Sequence, residues 1–192
     1  KIQNDVHHFI RYSAQKIAIF GLKPTKKIGV FVMPELPEVE TVKQALTPIL
    51  QNRRVLSAFV GRRNLRWPLP ENLTKRLTSR VFTHLTRRGK YVLMHLDSGE
   101  VLLLHLGMSG SVRIYQQKPD LGQHDHFMLE MAPQLGQNYR SYVVLNDPRR
   151  FGWIDLFAES AILRHKLLAG MGPEPLSNKF SGSWLEGVHV CG

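Results

Sequence analysis

Eight short runs rich in aliphatic, aromatic and β-branched residues follow one another between positions 55 and 157, and they limit the folds open to this chain more than any other feature. They occupy 55–60, 81–85, 90–96, 101–108, 111–115, 126–131, 141–145 and 152–157. Turn-forming residues separate them, most plainly Asp97-Ser98-Gly99-Glu100, which has the composition of a tight hairpin. Short strands at such close spacing, set off by turn signals, predict a β-sandwich or barrel. With 43% apolar and 21% charged residues the chain has enough apolar side chains for one packed core. No apolar run reaches the roughly 18–20 residues that cross a bilayer, so a soluble protein is expected.

One amphipathic helix precedes the strands. Val39, Val42, Leu46, Ile49 and Leu50 recur at helical spacing, Pro37 suits a first turn, and Glu35, Glu38 and Glu40 sit where the helix dipole favours acids. The helix is predicted over 36–50. A second is predicted over 159–168, ending at Gly170, before Gly172-Pro173-Glu174-Pro175 breaks regular structure. Residues 1–32 hold six basic groups against one acid, with no apolar core or cleavage site of a signal peptide, and are expected to be a disordered or artefactual leader.

The chain carries 26 Lys+Arg against 15 Asp+Glu, a formal charge of +11, and the excess extends beyond the leader. Anionic partners are therefore attracted, nucleic acid being the commonest. An RNA-binding domain is the weaker form of that reading, since adjacent strands show no patterned aromatic platform. The single cysteine, Cys191, excludes an internal disulfide or a Cys-rich zinc site within this sequence and fits a reducing compartment.

Four segments carry chemistry. In Met33-Pro34-Glu35-Leu36-Pro37-Glu38, loss of an initiator Met would expose Pro34 as a secondary amine. An α-amino group has a pKa near 8 against about 10.4 for lysine, so far more of it is nucleophilic at neutral pH. Glu35 beside it is a candidate proton shuttle. Arg87-Arg88-Gly89-Lys90-Tyr91 sets a lysine at the start of an apolar strand, where a sheet can aim it; by itself the motif reads more readily as a solvated basic turn. In His105-Leu106-Gly107-Met108-Ser109-Gly110-Ser111, glycines allow tight turning around Met108, which is either a flexible apolar wedge or a core residue. Asn146-Asp147-Pro148-Arg149-Arg150-Phe151-Gly152 presents a guanidinium and an aromatic ring side by side at a turn. Finally, His124-Asp125-His126 could suggest a metal pair, but no third ligand is patterned nearby and no metal is expected there.

These motifs, in this order and at these intervals, resemble those of formamidopyrimidine-DNA glycosylases from Met33 to the segment Gly172-Pro173-Glu174-Pro175-Leu176. The sister branch, endonuclease VIII, shares the Pro-Glu start but usually lacks the Leu-Pro-Glu-Val-Glu-Thr continuation and the Asp-Pro-Arg-Arg-Phe-Gly segment. The resemblance implies an α+β domain in which a two-sheet antiparallel β-sandwich is flanked by helices. It implies excision of oxidised purines, 8-oxoguanine and formamidopyrimidines, from double-stranded DNA, followed by strand cleavage at the abasic site through a Schiff base on Pro34. Glu35 and Lys90 become the other catalytic residues, with Lys90 on the phosphate beside the lesion. Met108 fills the void left by the extruded nucleotide, Arg149 bonds the base left behind, Phe151 inserts into the stack, and His124 contacts a phosphate.

The domain order expected on this basis is a non-family extension at 1–32, the catalytic domain at 33–176, and the truncated or divergent start of a second domain at 177–192. The family's helix–two-turn–helix module and four-Cys zinc finger have no counterpart in this sequence, so no cofactor is expected in the chain itself. A monomeric, cytoplasmic and bacterial protein is expected. The alternative is a catalytically inactive DNA-binding fragment of such an enzyme, since residues 1–32 and Met33 leave the Pro34 nitrogen as an amide.

Overall fold

Val39, Val42, Leu46 and Leu50, the apolar stripe of the predicted helix, are all buried in the computed structural model, which describes residues 28–30 (backbone only), 35–61 and 64–172. The helix itself, α1, spans Leu36–Leu50 with proline in its first turn and Glu38 at its positive end. Among the described residues nine strands accompany it: β1 (Ile28–Val30), β2 (Val55–Val60), β3 (Phe82–Arg88), β4 (Tyr91–Leu96), β5 (Glu100–His105), β6 (Ser111–Tyr115), β7 (Asp125–Met131), β8 (Ser141–Asn146) and β9 (Trp153–Ala158). They form two antiparallel sheets, ordered β1-β6-β8-β7-β2 and β3-β4-β5-β9. The fold is thus a sandwich with helical elements, and the barrel alternative falls away because the sheets remain separate.

Alternation along the strands builds the core. In β4, Val92, Met94 and Leu96 enter the main cluster with Leu102 and Leu104 of β5 and Ile154 and Leu156 of β9, and meet Phe127, Leu129, Val143 and Leu145 of the opposite sheet. The alternate residues Leu93, Val101 and Leu103 point the other way and pack under Leu168. The second sheet likewise turns Met128, Tyr142 and Val144 outward onto Tyr115 and Leu121. Both sheets are therefore covered on two faces, which explains why their strands read as nearly continuous apolar runs.

Four local expectations are corrected. The run over 101–108 is a strand only as far as His105, because Gly107 adopts φ +64° and turns the chain. The stretch 159–168 is not an α-helix: a 3-10 helix covers Glu159–Arg164, and turns follow around His165. His165 ends it by stacking on Phe157 at 4.1 Å and bonding Asp155 through Nε2 at 3.1 Å, two contacts that an α-helical continuation would not share. A five-residue helix, α2 (Leu73–Leu77), forms where none was expected. Within the supposedly unstructured leader, Ile28–Val30 pairs with β6 as an edge strand. The rest of the leader, and the segment 177–192, lie outside the described residues. No described helix is long and apolar enough to cross a membrane.

Register brings three connections to one end of the four-stranded sheet. Tyr91 pairs with His105, and His105 pairs with Trp153. The β3–β4 turn carrying Lys90, the loop 106–110 after β5 and the turn 147–152 before β9 consequently emerge side by side.

Candidate active site

Those three connections and the start of α1 enclose an open cleft of about 790 Å³, into which Glu35, Lys90, Met108, Arg149 and Phe151 project. Gly89 at φ +53° makes the tight turn that places Lys90 ahead of β4. Its ammonium meets the Glu35 carboxylate at 2.8 Å, both groups keeping substantial solvent contact. The cleft thus pairs a cation with the carboxylate of Glu35, the residue that directly follows Pro34. Pro34 itself lies outside the described residues.

The apolar members are held out in solvent. Met108 is 56% exposed, which rules out its core-packing reading, and Phe151 is 39% exposed. Exposing two large apolar groups among cations is unfavourable in water and marks a surface that something else covers. The Arg149 guanidinium lies 4.7 Å from the centre of the Phe151 ring, so fork donor and ring stack against each other. His124 is exposed outside this cleft, but its carbonyl accepts the Asp147 N–H at 2.9 Å, anchoring it to the same turn. The other two residues of its triplet are engaged elsewhere. Asp125 binds Asn146 Nδ2 and the Gly122 N–H, while buried His126 bonds the Asp147 carbonyl through Nε2.

Several cleft residues escaped the sequence reading. His105 lines the cleft beside Lys90, and burial, reinforced by the charges of Arg66 and Lys90, holds its imidazole below the usual histidine range. Arg66 and Arg150 also reach the cleft, the latter from a left-handed backbone position at φ +59°. Asp147 is wholly buried and organises the turn: its two carboxylate oxygens accept from Ser109 Oγ and the Gly152 N–H, each at 2.7 Å. Outside the cleft lining, Trp67 lies 5.3 Å from Trp153, with the Lys166 ammonium over both rings.

The fold and cleft together define a class. The sandwich superimposes on the Lactococcus lactis formamidopyrimidine-DNA glycosylase bound to DNA with an abasic site, with a TM-score of 0.68 at 28% identity, covering 80% of this chain and 56% of that one. A second structure of that enzyme, in complex with FAPY-dG-containing DNA, aligns equally well, at 0.68 and 28% over 80% and 56%. Residues 33–154 match the formamidopyrimidine-DNA glycosylase N-terminal domain, and the chain belongs to that family. It is 43% identical to the Bartonella quintana formamidopyrimidine-DNA glycosylase over 166 residues, 82% of this chain and 56% of that protein. To the Roseobacter denitrificans protein of the same name it is 46% identical over 161 residues, 80% of this chain and 55% of that one. The chain spans about half the length of these relatives.

Proposed function

We propose that this chain supplies the catalytic half of a monomeric, cytoplasmic bacterial DNA-repair glycosylase that removes oxidised purines from double-stranded DNA and cleaves the strand at the resulting abasic site. The observation that carries this reading is the 2.8 Å pair of Lys90 and Glu35 in a cleft that also exposes Met108, Arg149 and Phe151.

With its nitrogen free, Pro34 attacks the sugar C1′, the C1′–N bond to the damaged base breaks, and the departing base takes up a proton. The Pro34 nitrogen gives up its proton and the C1′–O4′ bond opens as O4′ takes one up, leaving a cationic imine that withdraws electrons; a C2′ proton then leaves and the C3′–O bond breaks, and loss of the C4′ proton with cleavage of the C5′–O bond releases the second phosphate. Glu35 protonates the opened sugar oxygen and carries protons between steps. Lys90 holds the phosphate beside the lesion and neutralises charge that grows as it leaves. Met108 and Phe151 occupy the space vacated by the extruded nucleotide, limiting the few kcal/mol lost on unstacking. Arg149 bonds the orphaned base, and His124 takes a flanking phosphate. The family resemblance also implies zinc in a four-Cys finger. Cys191 is the sole cysteine of this sequence, so no step here draws on that metal.

A second reading, DNA binding without catalysis, is favoured by the peptide bond that joins Met33 to Pro34 and removes the nucleophile. One experiment separates them. A chain beginning at Pro34 and fused to the C-terminal half of a relative should be trapped on abasic-site DNA by borohydride, whereas the chain as given should only bind. Equal trapping after acetylation of the Pro34 nitrogen would remove it from the mechanism.

A further inference from the structure

On the outer face of the four-stranded sheet, away from the cleft, His84 of β3 sits directly opposite His95 of β4, and Glu159 closes over them from the start of the 3-10 helix. One ligand atom from each lies within 4.8 Å of the other two. We propose that these three side chains form a binding site for a divalent first-row transition metal, with zinc as the reference ion.

The ring nitrogens are already sorted for that task. His95 uses Nε2 for Thr86 Oγ1 at 2.9 Å, which leaves Nδ1 toward Glu159 Oε1 at 2.7 Å. His84 uses Nδ1 for Thr83 Oγ1 at 3.0 Å, which leaves Nε2 as its ligating atom. His95 thus spends one nitrogen on a threonine hydroxyl and keeps the other for the metal, the outer-shell pattern that orients ligating imidazoles, whereas exposed His84 gives up its Thr83 bond as its ring moves. Zinc binds nitrogen and carboxylate oxygen at about 2.0–2.2 Å, and tetrahedral angles then separate neighbouring ligand atoms by about 3.3–3.6 Å. The His95–Glu159 pair, at 2.7 Å, has to open slightly as the metal replaces the proton it now shares. Exposed His84 has to turn its ring out of the 3.9 Å stack on His95 to complete the set.

The donor set of two imidazoles and one carboxylate suits zinc and its neighbours, and leaves a fourth position to water. Coordination would tie the β3–β4 hairpin, whose turn carries Lys90, to the segment leaving β9. Neither these residues nor the metal takes part in the chemistry proposed for the cleft.

Zinc binding by the full chain, measured by competition with a chromogenic chelator, tests the site. His84→Ala alters an exposed ligand and leaves the core intact; Thr86→Val keeps strand shape but removes the outer hydroxyl. Zinc affinity should fall about tenfold in Thr86→Val and further in His84→Ala. The wild-type Cu2+ complex should show two coupled nitrogens by electron paramagnetic resonance, reduced to one in His84→Ala. Absence of zinc binding by the wild-type chain, or affinity unchanged in both variants, overturns the proposal.

Discussion

Ser109 Oγ donates to Asp147 Oδ1 at 2.7 Å, joining the loop that exposes Met108 to the turn that exposes Phe151. The same hydroxyl accepts the Arg149 N–H at 3.3 Å, and the second Asp147 oxygen accepts the Gly152 N–H. Two apolar side chains that would otherwise sit on independent loops are therefore fixed relative to each other by one buried carboxylate. Holding such groups rigidly matters because an inserted wedge that must first be ordered loses part of what its contacts contribute.

Asp147→Ala should destabilise the protein by about 3 kcal/mol, because it leaves the buried Gly152 N–H unsatisfied and frees Ser109. Urea unfolding at pH 7 measures this. A loss under about 1 kcal/mol would mean that water takes over both donors.

Gly107→Ala tests the other side of the same contact. Gly107 has φ +64°, and a Cβ there would overlap the backbone carbonyl of Phe151. Strain and displacement together should cost about 2 kcal/mol. The near-ultraviolet circular dichroism of the adjoining aromatic residues should change while the far-ultraviolet spectrum stays constant. Wild-type stability would show that the two loops tolerate separation.

The strands and α1 were legible because burial imposes simple periods on the sequence. Boundaries failed where a single backbone angle decided them: Leu106 continues the apolar run of β5, but the chain has turned by Gly107. The 3-10 helix reads as α-helical since Ile162 and Leu167 do pack on the core, and only the ring contacts of His165 stop it. Lys90, Met108, Arg149 and Phe151 could be found in motifs whose glycines and prolines announce turns. His105 could not. It ends an apolar strand, and its place beside Lys90 follows from the Tyr91–His105 register, which no local pattern encodes. Nothing in the Asp147-Pro148 pair announces burial, yet the complete burial of Asp147 is what shapes the site.

His105 makes stability depend on pH in a defined direction. Burial, then Arg66 and Lys90, depress its folded-state pKa below the usual value of 6.5. The folded protein therefore binds fewer protons than the unfolded chain once pH drops below about 6.5, and stability is lost as pH falls from there through the folded value. His95, shifted in the same direction, adds to the effect. Tm measured between pH 7.5 and about 5 should decline less steeply in His105→Gln than in wild type. Coincident slopes would show that the cleft does not penalise imidazolium.

The void-filling and catalytic residues should separate kinetically in an active form that begins at Pro34 and carries a relative's C-terminal half. Met108→Ala and Phe151→Ala remove exposed apolar surface at the cleft, so each should slow excision of a paired oxidised purine by roughly tenfold or more, matching one to a few kcal/mol of uncompensated unstacking. Cleavage at a preformed abasic site needs no base eviction and should change much less. Lys90→Ala, by contrast, should impair both substrates, because its charge acts on the phosphate whatever base stood there. Single-turnover rates on the two substrates, with binding saturated, make the comparison. If Phe151→Ala harms abasic-site cleavage as much as base excision while remaining folded, its ring does not act as a wedge. It would then position Arg149, whose guanidinium lies over it at 4.7 Å, and Arg149→Lys should reproduce the defect by losing the planar stack.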